Sequence, residues 1–272
     1  MRRFLVVAVL VLAATGAGAE IVVSTHLHSN HSDGMGTMQE VVDIARQNGA
    51  QVAIISDHAE MVNLDYVYLD VYPWAWSVDK PRPRLLIQHK EPGVDNWIAR
   101  IRESYPIPVV PGMEVGLGET RSSHLLYWGG DLSAYTEVVE ISKTSNFFGE
   151  AALEGLALLA LRNGAVLIEA HPFNKDYPYT EKVIRAPGLT WGIEFFNGTV
   201  AEQLEGFRRM VRLQSQMPDQ HLIATGGTDF HWSYADVLTN LSHVLEGINF
   251  QRGNSFEPCM WRRTVAVRCP DV

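Results

Sequence analysis

Val52-Ala53-Ile54-Ile55-Ser56-Asp57-His58 sets the pattern of this chain: a short apolar run that ends in an acid and an imidazole. Short continuous apolar runs set between helical stretches mark buried parallel strands. The same grammar recurs on both sides. Ile21-Val22-Val23 leads to His26-Leu27-His28, and Val109-Val110 leads to Glu114 and, ten residues later, His124. Ala165-Val166-Leu167-Ile168 precedes His171-Pro172, and Leu222-Ile223-Ala224 precedes Asp229-Phe230-His231. Helical stretches fall between these runs. Thr37 to Gly49 opens on a Thr37/Glu40 capping box and closes at a glycine. Ala151 to Asn163 is rich in Ala and Leu and ends at Gly164, and Ala201 to Gln216 is amphipathic and stops before Pro218. Alternating strands and helices with polar groups at the strand C-termini describe an α/β barrel and its active-site face.

Seven of the ten histidines lie in or beside these segments: His26, His28, His31, His58, His124, His171 and His231. Each segment alone has an ordinary structural reading. Two histidines on one strand face can cap a core, an Asp-His pair can simply be hydrogen-bonded, and His-Pro can be a turn. Five strand ends carrying the same residue types are a different matter. Unpaired polar groups buried at all of them would each cost about 1–3 kcal/mol. Imidazole and carboxylate are the usual side-chain ligands of zinc, manganese and iron, so a shared metal site is expected.

Six stretches, in order, resemble the motifs of the PHP (polymerase and histidinol phosphatase) superfamily. They are Thr25 to Gly34 (THLHSNHSDG), Ile55-Ser56-Asp57-His58, Gly112-Met113-Glu114 with His124, Glu169-Ala170-His171-Pro172, Gly192 to Asn197 (GIEFFN), and Gly227-Thr228-Asp229-Phe230-His231. The resemblance spans about residues 20–235. It implies a distorted (β/α)7 TIM-like barrel holding two or three divalent metal ions, manganese, zinc or iron. Carried over motif by motif, it implies that His26, His28, Glu114 and Asp229 hold one ion. Glu114 would bridge to a second, completed by His124 and His171, and Asp33, His58 and His231 would hold a third. Asp33 is preferred to His31 as that ligand, leaving His31 a substrate or supporting role. Asp57 would orient an imidazole. Ala59-Glu60, after the second motif, departs from the usual pattern.

Charge narrows the chemistry. Three divalent ions against the carboxylates of Asp33, Glu114 and Asp229 leave three positive charges, which match one bridging hydroxide and a phosphate monoester dianion. Such a centre would bring the pKa of bound water toward about 7 and stabilise charge on the leaving oxygen. In-line hydrolysis of a phosphate monoester by metal hydroxide is therefore expected. His231, His31 or a bound water would protonate the leaving alcohol; with Asp57, the two histidines form the expected catalytic group. Arg121, just before His124, and Lys175, just beyond His171-Pro172, are placed to touch phosphate, while Glu194 and Asn197 are expected to bind substrate or support a ligand. A phosphodiesterase or exonuclease acting on short oligonucleotides is the nearest rival, and a non-catalytic metal-binding module the rival of another class.

Other nucleophile systems are missing from the sequence: no phosphate-binding loop of the G-x-x-x-x-G-K-[ST] type and no strand–elbow–helix serine. The net charge of −9 argues against long nucleic acids, whose binding needs clustered Lys and Arg. A small phosphorylated molecule is the expected partner. Arg2-Arg3, the apolar run Phe4 to Ala14, and Ala17-Gly18-Ala19 read as a secretory signal over residues 1–19, too short for a membrane span. Export to a periplasm or the cell exterior follows, and an oxidising setting suits a bond between Cys259 and Cys269. Residues 20–272 then form a single barrel domain, with a C-terminal tail over about 244–272 wrapping its outside. An aromatic-rich insertion over about 61–92, with Tyr66, Tyr68, Tyr72, Trp74, Trp76, Arg82, Arg84 and Lys90, reads as a lid or substrate wall, or as a subdomain packing its own aromatics.

Overall fold

The structure, a computed structural model, describes residues 21–70, 84–88, 92–117, 123–144, 149–171, 188–196, 200–216, 222–227, 229, 231 and 265–266. Eight strands form one sheet in the order β10-β1-β2-β5-β6-β7-β8-β9. These are β1 (Val22–Leu27), β2 (Val52–His58), β5 (Val109–Leu117), β6 (Ser123–Trp128), β7 (Val166–Ala170), β8 (Thr190–Phe196), β9 (Ile223–Gly226) and β10 (Val265–Ala266). Seven of them, β1 to β9 in that order, curl into a nearly closed barrel. The side chain of Thr25 on β1 donates to the carbonyl of Gly226 on β9, joining the first and last staves. The barrel class expected from the sequence is therefore the observed one.

One strand breaks the expected alternation. β1, β2 and β5 run parallel, as do β7, β8 and β9, but β6 is antiparallel to both neighbours. β5 and β6 form a hairpin rather than a crossover unit. That reversal lets Glu114, late in β5, and His124, early in β6, reach the same end of the barrel.

Side-chain alternation along the strands sorts the interior from the helix-facing layer. On β6, Leu125 and Tyr127 join the main core, whereas Leu126 and Trp128 pack with Ile168, Ala170, Ile54 and Val166 in a second, smaller cluster. Trp128 reaches across the interior to donate to Ser56 Oγ at 3.0 Å. Gly112 makes room for it, since a Cβ there would sit 2.6 Å from the indole and 2.6 Å from the Ile55 carbonyl. The small cluster fills the barrel below the polar residues. The main core lies between the sheet and the helices, and each fully buried Leu or Ile there contributes about 1.5–3 kcal/mol.

The helices are α1 (Met38–Gln47), α2 (Val94–Ile101), α3 (Ala134–Thr144), α4 (Gly149–Asn163) and α5 (Val200–Gln216). The Thr37/Glu40 capping box of α1 forms as read from the sequence, with Thr37 accepting from the Glu40 backbone and Glu40 accepting from that of Thr37. Arg209 on α5 pairs with buried Glu169 on the helix-facing side of β7. Among the described residues no helix is long and apolar enough to cross a membrane.

In the stretch read from the sequence as an insertion, β3 (Tyr66–Asp70) and β4 (Arg84–Gln88) pair as an antiparallel ribbon apart from the barrel sheet. Tyr72, Trp74, Trp76, Arg82 and Lys90 lie outside the described residues, as do residues 1–19, where a signal is expected, and both cysteines. Of the C-terminal tail, β10 is described, pairing antiparallel with Val22 and Val23 of β1.

Candidate metal centre

The loop after β1 is organised by a residue of β2. Asp57 accepts from the Ser29 backbone at 2.6 Å, from Ser29 Oγ at 2.7 Å, from Ser32 Oγ at 2.8 Å, and from the Trp97 indole of α2 at 2.9 Å. Adjacent residues on a strand face opposite ways, so Asp57 points toward the helices while His58 points into the barrel. The expectation that Asp57 orients an imidazole is thus corrected: it anchors the loop that carries His28, His31 and Asp33.

Glu114 is the hub of the centre. Its Oε2 lies 3.1 Å from His26 Nε2, 3.2 Å from His28 Nε2 and 3.4 Å from His58 Nε2. Its Oε1 lies 2.6 Å from His124 Nδ1 and 3.0 Å from His171 Nε2. Asp229 Oδ1 is 3.4 Å from both His26 Nε2 and His28 Nε2. A second acid, Asp33, lies 3.1 Å from His231 Nε2, 3.6 Å from His58 Nε2 and 3.5 Å from His28 Nδ1. All nine expected ligands therefore meet at one end of the barrel.

The donor atoms divide into two overlapping neighbourhoods. His26, Glu114, His171 and Asp229 form one, and His28, Asp33, His58 and His231 the other, with the atoms of each set all within 4.8 Å of one another. Between Asp33 and His31, Asp33 is the one in the set. His28 departs from the sequence grouping, since its Nε2 faces Glu114 and Asp229 while its Nδ1 faces Asp33.

Two observations fit these residues to divalent cations. Ligands about 2.1 Å from a tetrahedral ion stand roughly 3.4 Å apart, and apart from the 2.6 Å Glu114–His124 contact these nitrogens and oxygens lie 3.0 to 3.6 Å from one another. Both nitrogens of His28 are also buried without a hydrogen-bond partner, an arrangement that leaves a lone pair for a cation.

Backbone strain is concentrated here as well. His26, His171 and Asp229 adopt φ values of 58°, 31° and 49°, and they are the non-glycine residues with positive φ among those described. Left-handed backbone is uncommon away from glycine and persists where surrounding structure imposes it.

Supporting contacts fix several rings. Glu194, fully buried on β8, places its two oxygens 3.0 and 3.2 Å from His26 Nδ1, and Oε2 also accepts from the His171 backbone at 2.9 Å. Its burial and these partners make it a holder of His26 rather than a substrate contact. Gly227 is needed beside it, because a Cβ there would overlap Glu194 Oε1 and sit 2.7 Å from His26 Cβ. The Asp229 carbonyl lies 2.9 Å from His231 Nδ1. His31 is buried next to the centre's loop and lines a cavity of about 280 Å³ with Thr37, Arg100 and Tyr105. Arg121, Lys175 and Asn197 lie outside the described residues.

Charge pairing is strong in this cluster. Burial alone would raise the Glu114 carboxyl, but the imidazoles of His124, His26 and His58 reverse this and hold it well below the ordinary range. Asp33 is likewise held low against burial, chiefly by His231 and His58. Burial opposes a charge on His231, yet Asp33 and Asp229 raise it to about 10.

The sequence matches the PHP domain family over residues 24–232. The chain belongs to that family. Its class of activity is metal-dependent hydrolysis of phosphoester bonds, and the donor sets above are candidate ligands for the metals. Similar solved structures include a candidate metal-dependent phosphoesterase from Bifidobacterium adolescentis, 16% identical over 77% of this chain and 87% of that one, with a TM-score of 0.46. An amidohydrolase from Chromobacterium violaceum, solved with sulfate and no metal, is 17% identical over 77% and 87%, with a TM-score of 0.48. A lesion-specific endonuclease from Pyrococcus furiosus is 13% identical over 78% of this chain and 49% of its own, with a TM-score of 0.44. No curated protein matches the sequence.

Proposed function

We propose that this chain hydrolyses a phosphate monoester of a small molecule at a centre of two or three divalent cations. The observation that carries the reading is the placement of Glu114: one oxygen faces His26, His28 and His58, the other His124 and His171. A carboxylate whose two oxygens face different imidazoles would bridge two ions, one beside His26, His28 and His58 and the other beside His124 and His171. Cations held there would neutralise phosphate oxygens and supply a water acidic enough to react near neutral pH.

The protein's own share is orientation. Glu194 and the Asp229 carbonyl fix the rings of His26 and His231, and Asp57 fixes the loop bearing Asp33. The leaving-group proton comes from His31 or a bound water in this reading, because His231, once a ligand, has its Nε2 on the cation and its Nδ1 on the Asp229 carbonyl. With three ions held, the ligand carboxylates Asp33, Glu114 and Asp229 leave three positive charges on the centre itself, which suits a dianionic monoester better than a monoanionic diester. Manganese, zinc and iron all suit such mixed nitrogen and oxygen donors. Arg121, Lys175 and Asn197 are proposed to meet the substrate. Export is proposed on the Arg2-Arg3, Phe4 to Ala14 and Ala17-Gly18-Ala19 pattern, and mass spectrometry of exported protein should find a chain beginning at Glu20.

Metal analysis of the purified protein, followed by turnover of p-nitrophenyl phosphate and its bis ester, tests the reading. Hydrolysis of the monoester supports it. Hydrolysis of the diester alone replaces it with a diesterase, and bound metal with neither activity replaces it with a metal-binding module.

A further inference from the structure

Glu60 has no part in either donor set, yet its side chain is only 5% exposed and its Oε2 is buried without a hydrogen-bond partner. Buried carboxylates without partners are rare, because an unmet acceptor forfeits its hydration. Among the described residues its ion-pair neighbour is His58, whose Nδ1 lies 3.7 Å from Glu60 Oε1. That nitrogen is also buried without a hydrogen-bond partner. The unmet Nδ1 of His58 thus faces the Glu60 carboxylate, with Oε1 across a gap about 0.8 Å longer than an ordinary N–H···O bond and Oε2 beside it unmet.

The other rings of the centre show what this pair is for. His26 turns Nε2 toward Glu114 and gives Nδ1 to Glu194. His231 turns Nε2 toward Asp33 and gives Nδ1 to the Asp229 carbonyl. His58 turns Nε2 toward Asp33 and Glu114 in the same way, leaving Nδ1 directed at Glu60. A ligand imidazole needs the proton on its remote nitrogen, and an oxygen acceptor there fixes both tautomer and ring angle.

We propose that Glu60 is the positioning residue for His58, holding it with the proton on Nδ1 so that Nε2 is presented to the cation site shared with Asp33 and His231. This rests on the metal-centre reading above, and it adds a residue that touches neither substrate nor cation.

The test compares Glu60→Leu, which keeps volume and removes the acceptor, with Glu60→Gln, which keeps an acceptor oxygen. Long-range ¹H–¹⁵N correlation of the metal-free full-length protein at pH 8 reads the His58 tautomer directly. Zinc titration with calorimetry reads the affinity of each site. The expected result is an Nδ1–H ring in wild type and Glu60→Gln, and a shift to Nε2–H in Glu60→Leu. In Glu60→Leu, one class of zinc site weakens by about 10–100-fold and the others hold. An unchanged ring signal and unchanged zinc binding in Glu60→Leu overturn the proposal, as does identical behaviour of the two variants. Neither readout uses turnover, so a wild type that binds zinc but fails on the monoester sinks the proposed reaction and leaves this inference standing.

Discussion

Glu114 and His124 face each other at 2.6 Å across the β5–β6 hairpin, a contact that exists because β6 runs against the rest of the barrel. The same carboxylate reaches four further imidazoles, so its removal should affect every cation position at once. Glu114→Gln is expected to lower kcat/KM on a phosphate monoester by at least about 100-fold and to reduce bound metal below one equivalent. Full metal content with intact turnover would remove Glu114 from the centre.

Glu194 acts at one remove. Its contact with His26 is fully buried and that with the His171 backbone partly so, and Glu194→Gln keeps the shape while weakening the charge on the His26 ring. Metal affinity should fall about 10–100-fold, with KM for substrate little changed once metal is saturating. A large rise in KM at saturating metal would return Glu194 to the substrate-binding role read from the sequence.

Gly227 is expected to tolerate no side chain. In Gly227→Ala the new methyl collides with Glu194 and crowds His26. Overpacking of this kind costs about 1–3 kcal/mol, so the thermal midpoint should drop by several degrees and metal affinity with it. An unchanged midpoint would contradict the packing described here.

Metal binding should release protons. Without cations His231 titrates at about 10, raised by Asp33 and Asp229 against the effect of burial, so it is protonated at pH 7. A ligand imidazole must be neutral, hence loading expels that proton, and apparent affinity should rise as pH climbs toward about 10. Calorimetric titration of the metal-free protein in buffers of different ionisation enthalpy counts the protons. Zero release at pH 7 would mean that His231 is not displaced from its charged state.

Much of the centre was legible in the sequence because strand ends announce themselves: an apolar run followed by ligand residue types, five times over. The Thr37/Glu40 cap was equally readable, being a local hydrogen-bond pattern. What escaped depends on direction. The sequence alone treats Asp57-His58 as a unit, although neighbouring residues on a strand must face opposite sides; that rule would have sent Asp57 outward. The reversal of β6 lacks a local mark, since Leu125-Leu126-Tyr127 is as apolar as any parallel strand. Partners such as Trp97 for Asp57 and Arg209 for Glu169 sit 40 residues away along the chain and are set by packing. Glu194 stands out in the sequence, but only its burial decides between substrate and a ring as its partner.

The left-handed backbone at His26, His171 and Asp229 has one more consequence. His26 sits at a register shift between β1 and β2, and His171 and Asp229 lie just beyond strand ends. Buried contacts such as that from the His171 backbone to Glu194 hold those angles, so the donors stand preorganised before any ion arrives. The conformational entropy of gathering them is lost when the chain folds, not when the ion binds. Exchange of one divalent ion for another should then need little rearrangement, and discrimination among them should follow ionic radius and ligand softness.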